Sequence, residues 1–126
     1  MKKRISTFLT MFLLVFLLGL NVCAASPVAQ IGSKKYTSLE KAFSAVKKGQ
    51  TITLKKNTTI NGDLKIKLGK KSATLNLNKK NLTVKGSFNL YSGTLTISGN
   101  GKLTTKQIKN AGTLTLKNGT VNGSVV

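Results

Sequence analysis

The chain has 126 residues, with 21 Lys and Arg against two acidic residues, no His and one Cys, and a formal net charge of +19. One domain is the expectation at this length. The composition excludes a disulfide within the chain and leaves only two carboxylates for the pair that glycoside hydrolysis generally needs, and the charge points to anionic partners.

The first residues read as a secretory signal peptide over 1–24. Lys2, Lys3 and Arg4 make a basic start, residues 8–20 are an apolar run, and Val22-Cys23-Ala24 offers small residues before a cut. The run is shorter than the roughly 20 residues of a comfortable membrane span, although an uncleaved anchor is an alternative. Cleavage after Ala24 or Ala25 removes Cys23, and Val22 is not the small residue that lipidation of that Cys requires. The remaining chain then carries 18 Lys, no Arg, Glu40 and Asp63. No membrane span is expected after cleavage, and the protein is expected to be secreted or at the cell surface.

Residues 25–50 read as a lead-in segment and a helix. Val28 and Ile31 suit an edge strand. Thr37 and Glu40 form a capping box, Thr-x-x-Glu. Leu39, Ala42, Phe43 and Val46 recur as one apolar stripe, Lys47 and Lys48 suit the helix C-terminus, and Gly49 supplies a left-handed stop. The pattern predicts an amphipathic helix over about 38–48, followed by a strand at Thr51-Ile52-Thr53-Leu54.

Over residues 51–126 the sequence repeats. Gly93-Thr94-Leu95-Thr96-Ile97 returns 19 positions later as Gly112-Thr113-Leu114-Thr115-Leu116, and a looser copy, Ala73-Thr74-Leu75-Asn76-Leu77, stands 20 positions earlier. A fixed period of short apolar-polar-apolar strands means a solenoid. The apolar centres stack in three columns. The first is Ile52/Leu54, Leu75/Leu77, Leu95/Ile97 and Leu114/Leu116. The second is Ile60, Leu82/Val84, Leu103 and Val121. The third is Leu64/Ile66, Phe88/Leu90 and Ile108. Steps down a column are 18 to 24 residues, so three short parallel strands per turn predict an all-β, three-sided parallel β-helix of about four coils. An antiparallel sandwich is the rival. The triplets are short for it, and the helix before the first coil fits a cap over an open solenoid end.

The segment from Ile31 through Tyr36-Thr37-Ser38-Leu39-Glu40-Lys41-Ala42-Phe43 to Gly49-Gln50-Thr51-Ile52-Thr53-Leu54 resembles the N-terminal capping segment of secreted bacterial β-helix proteins of the pectate-lyase-like superfamily. The resemblance continues through the Gly-Thr-Leu-Thr-Ile/Leu coils. It implies a right-handed helix, and it implies fold more than activity, because the superfamily includes polysaccharide lyases, hydrolases and adhesins. Lyases resembling this fold hold calcium on several acidic residues and use Arg or Lys as a base. One Asp cannot build such a site, and Arg is missing. The chain is also short for the superfamily, about four coils ending near Val121, so a minimal or truncated lyase and a stub that associates end to end are the alternatives.

No catalytic residue, cofactor or metal site is expected. Glu40 reads as the capping partner, and Asp63, after Asn61-Gly62, as a turn residue. The sequons at Asn57, Asn81, Asn118 and Asn122 fall in turns where Asn and Thr are common anyway. The lysines carry the functional expectation. Lys55, Lys56, Lys79, Lys80, Lys102 and Lys117 fall in the turn after the first column of successive coils, and stacking places them on one edge as an anion-binding ladder. A second basic group, Lys65, Lys67, Lys70 and Lys71, lies near the third side. Base recognition is not expected: Phe43 and Phe88 read as core, leaving Tyr36 and Tyr91 for stacking, so nucleic acid would bind without specificity. The reading is a secreted, non-catalytic β-helix that binds an anionic polysaccharide or cell-wall polymer.

Overall fold

A computed structural model describes residues 26–125; the segment read as a signal peptide, with Cys23, lies outside them. The strands are β1 (Ala29–Ile31), β2 (Lys34–Tyr36), β3 (Thr51–Leu54), β4 (Thr58–Ile60), β5 (Leu64–Asn76), β6 (Asn81–Ser98), β7 (Lys102–Asn110), β8 (Thr113–Leu116) and β9 (Thr120–Val125), with one helix, α1 (Leu39–Ala45), between β2 and β3. Only β1 pairs antiparallel, with β2 on one side and β3 on the other. Every other pairing is parallel: β3 on β5, β4 on β6, β5 on β6, β6 on β7 and β8, and β7 on β9. The result is a β-solenoid of about four coils, and the parallel ladders rule out the antiparallel sandwich.

The alternation of the sequence explains which side of each strand faces in. Ile52 and Leu54, Leu64 and Ile66, Leu82 and Val84, Phe88 and Leu90, and Leu95 and Ile97 are all buried, while Lys65, Lys67 and Lys85 between or beside them are exposed. Several core positions stack like on like from coil to coil. Leu64 lies beside Phe88 and Phe88 beside Ile108. Leu82 lies between Thr58 and Leu103, Ile60 lies beside Val84, and Leu103 carries Val121. Ile108 continues to Val125, which adds a rung to the third column.

The first column departs from the expected stacking in one step. Leu75 pairs with Ile97, not Leu95, and Leu95 lies over Ala73. The cause is a bulge in β5. The pairs Lys67–Ser92 and Ser72–Thr94 leave residues 68–71 opposite the single residue Gly93. Leu68 turns into the core at 1% exposure. Gly69 takes φ +63° and its N–H donates to Ser92 Oγ at 2.9 Å. The Lys71 ammonium donates to the Val46 carbonyl at 2.8 Å. The slip is two residues, so the same face stays buried and the core pattern survives. Above it the repeat resumes: Leu95 pairs with Leu114 and Ile97 with Leu116. The glycine of the repeat has a packing reason, since a Cβ on Gly112 would overlap the Gly93 carbonyl of the coil below.

Leu39, Ala42, Phe43 and Val46 are buried as the stripe predicts, and α1 packs against β5, β1 and β2. Its ends differ from the expectation. The N-cap is Ser38, not Thr37: Ser38 Oγ accepts from the Lys41 N–H at 3.1 Å and donates to Glu40 Oε1 at 3.3 Å. Ser38 has the extended backbone a cap needs, φ −143° and ψ 141°. The helix stops at Ala45 because Val46 is already extended, with ψ 139°. Lys47 and Lys48 therefore lie beyond it. Gly49, at φ +78°, belongs to the following turn, where Gln50 N–H donates to the Lys47 carbonyl at 3.1 Å.

Candidate anion-binding corner and cleft

The corner that follows the first column is built from turns with different chemistry in each coil. In the lowest coil Lys55 and Lys56 link β3 to β4, and both are exposed. One coil up, Leu77-Asn78-Lys79-Lys80 closes a tight turn through Lys80 N–H to the Leu77 carbonyl at 2.9 Å. Asn78 and Lys79 both take positive φ, 54° and 62°, the geometry of a type I′ turn, for which Asn-Gly is the favoured pair. Asn78 is held by two bonds, its Nδ2 donating to the Leu54 carbonyl at 3.1 Å and its N–H to Asn76 Oδ1 at 2.8 Å. Asn57 Oδ1 accepts the Asn81 N–H at 2.9 Å and locks the two turns in register. Lys55, Lys56, Lys79 and Lys80 thus share one corner on coils about 4.8 Å apart.

The other two expected ladder residues sit at the flanks of this corner. Lys102 N–H donates to the Lys80 carbonyl at 3.1 Å, and Lys102 is in register with Asn81, at the start of the next side. Lys117 N–H donates to the Ile97 carbonyl at 2.8 Å, at the opposite end of the turn. Gly99, Asn100 and Gly101 occupy the third-coil turn between them, and a Cβ on Gly101 would overlap the Lys80 carbonyl. The six lysines form a cluster of four with two outliers, not a straight column.

The strands of the third column carry a feature away from the turn lysines. A cleft of about 440 Å³ opens over the outward side of the strands, lined by Asp63, Lys65, Asn89, Tyr91 and Lys109 among others. Lys65, Asn89 and Lys109 are register neighbours on three successive coils. Asn89 is only 5% exposed and its Oδ1 has no hydrogen-bond partner. Tyr91 is 46% exposed, with Lys67 Nζ 5.6 Å from its ring centroid, a cation–π contact. Asp63 does more than close a turn: its Oδ1 accepts the Ser87 N–H at 2.8 Å and ties two coils together. The residues between the apolar pairs of the third column, read upward as Lys, Asn and Lys, were the available signal.

Both carboxylates of the described residues have structural partners, Glu40 at the helix cap and Asp63 between coils. Among the described residues no three His, Cys, Asp or Glu side chains gather as a metal site, and no helix is long and apolar enough to cross a membrane. No family model, no curated protein and no solved structure matches this chain.

Proposed function

We propose that this protein is a secreted, non-catalytic binding module for anionic surface polymers, acidic polysaccharide or cell-wall polymer, held along the lysine corner. In this reading the solenoid is right-handed and three-sided, α1 caps its first coil, and Lys55, Lys56, Lys79 and Lys80 form the centre of the contact with Lys102 and Lys117 at its flanks. The observation that carries the proposal is Lys79. A side chain at φ +62° is strained by about 1 kcal/mol or more relative to glycine, and such strain is enriched at functional positions. A turn selected for stability alone would have glycine there.

Two results are expected. Lys79→Gly should raise the unfolding free energy by about 1 kcal/mol in urea titrations while weakening retention on the polymer; a variant that loses stability removes the argument from strain. Replacing all six lysines with Gln should abolish retention of the full-length chain on polygalacturonate or teichoic acid at physiological salt, and the same change at Lys34 and Lys35 should not. With DNA as a reference polyanion, the dependence of log affinity on log salt should flatten by about 4 to 5. Equal losses from the two variants would mean that charge acts without a site. Ultraviolet-absorbing unsaturated product from polygalacturonate would replace this reading with a lyase.

A further inference from the structure

We infer that the cleft on the third side is a second, discrete site, which takes one hydroxylated unit bearing a single oxyanion, such as a polyol phosphate or a uronate sugar. It goes beyond the corner, which holds a chain of charges without reading any one unit.

The argument starts from Asn89. A buried amide oxygen without a partner costs about 1–3 kcal/mol, and an apolar side chain of the same shape would avoid that cost. Asn89 sits at 5% exposure with Oδ1 unpaired, between Phe88 and Leu90 on a strand whose other sequence choices follow burial closely. Rotation of the amide about χ2 exchanges its oxygen and nitrogen, so the group can offer either an acceptor or a donor to a molecule in the cleft. Such a group matches a hydroxyl, which both donates and accepts.

The charge around it matches an anion. Lys65 and Lys109 occupy the register positions immediately below and above Asn89, so two ammonium groups flank one amide along the coil stack. Lysine is a compact charge with three rotatable donors, suited to an oxyanion held between two chains. Tyr91 adds an exposed aromatic face on which the apolar side of a ring or polyol can lie. A volume of about 440 Å³ accommodates one such unit. Asp63 also lines the cleft, with its Oδ1 engaged by the Ser87 N–H.

The test uses the immobilised full-length chain and four small probes: glycerol phosphate, glucuronate, inorganic phosphate and glycerol. A probe with both hydroxyls and an anion should bind about tenfold more tightly than inorganic phosphate or glycerol. Glycerol phosphate ahead of glucuronate assigns the site to phosphodiester polymers; the reverse order assigns it to uronate polymers. Asn89→Leu should reduce that advantage to the level of inorganic phosphate and raise the melting temperature by about 4–8 °C. Lys65→Gln and Lys109→Gln should each weaken every anionic probe about fivefold. The six-lysine corner variant should bind the small probes unchanged, which separates failure of the corner from failure of the cleft. The inference is overturned if hydroxylated anions bind no better than inorganic phosphate, or if Asn89→Leu lowers the melting temperature and so shows Asn89 to be a structural member of the sheet.

Discussion

Phe88→Ala should lower the unfolding free energy by about 3–5 kcal/mol, measured by urea denaturation, and leave the chain close to unfolded at room temperature. Phe88 is fully buried and stands at the centre of the third column, with Leu64 below and Ile108 above. Removing its ring opens a cavity bounded by two coils. In a solenoid each coil touches only its neighbours, so no distant part of the core can close in to fill the gap. Small domains are stable by about 5–15 kcal/mol in total, and this one also carries a large uncompensated charge. Leu116→Ala is the control. Leu116 is 48% exposed on the last coil, and its truncation should cost well under 1 kcal/mol by the area it hides. A similar loss at both positions would contradict the graded core.

Salt should stabilise this protein, the reverse of what is expected where surface ion pairs dominate. Among the described residues 18 Lys face only Glu40 and Asp63. At the corner the lysines sit on coils about 4.8 Å apart, and two charges about 5 Å apart in water repel by roughly 0.8 kcal/mol. The Debye length falls from about 30 Å at 0.01 M to about 8 Å at 0.15 M. Moving between those conditions should raise the melting temperature by about 4–8 °C, the shift that about 1 kcal/mol gives in a domain of this size. The six-lysine Gln variant should show a smaller rise and start from a higher value. An anionic polymer bound at the corner should stabilise further by mass action, beyond what its own ionic strength provides. A melting temperature that falls with added salt would mean that the lysines are neutralised within the fold.

The solenoid was legible because its signal is repeated. The second and third columns were legible in part: Ile60 meets Val84, Leu82 meets Leu103, Leu103 meets Val121, and Leu64, Phe88 and Ile108 stack in line, but Leu82 lies on Thr58 and Val84 on Thr105, and one extra residue of β6 between Val84 and Ser87 separates the two columns. The first column slipped at Leu75 because residues 68–71 carry the inward positions from Leu64, Ile66 and Leu68 to Ala73, Leu75 and Leu77 with a change of parity, and a count of positions cannot tell a bulge from a longer turn. Leu68 was missed as core for the same reason: it precedes Gly69 and two lysines and reads locally as the start of a turn. The helix was legible from its stripe, but its cap was not. Thr37 and Ser38 are both capping residues, and Ser38 is the one whose Oγ meets the Lys41 N–H. The shared corner of Lys55, Lys56, Lys79 and Lys80 was legible because successive turns carry them. The cleft was not, because Asn89 is an ordinary residue in the sequence and becomes unusual only when its burial and its unpaired oxygen are seen together.

The register also sets the order in which the molecule can assemble. Within the coils, every paired rung joins residues between 17 positions apart, as at Ile108 and Val125, and 25 apart, as at Lys67 and Ser92. No coil can zip from a tight hairpin, so each must close a loop of about 20 residues before its first contact forms. Mean separations near a fifth of the chain length belong to proteins that fold in milliseconds to seconds. The β1–β2 hairpin is the exception, with Ile31 opposite Lys34 across a two-residue turn, and α1 follows it directly. That lead-in segment can form on its own in microseconds, and β1 then offers its free edge to β3, so the stack has a place to begin and a direction in which to grow.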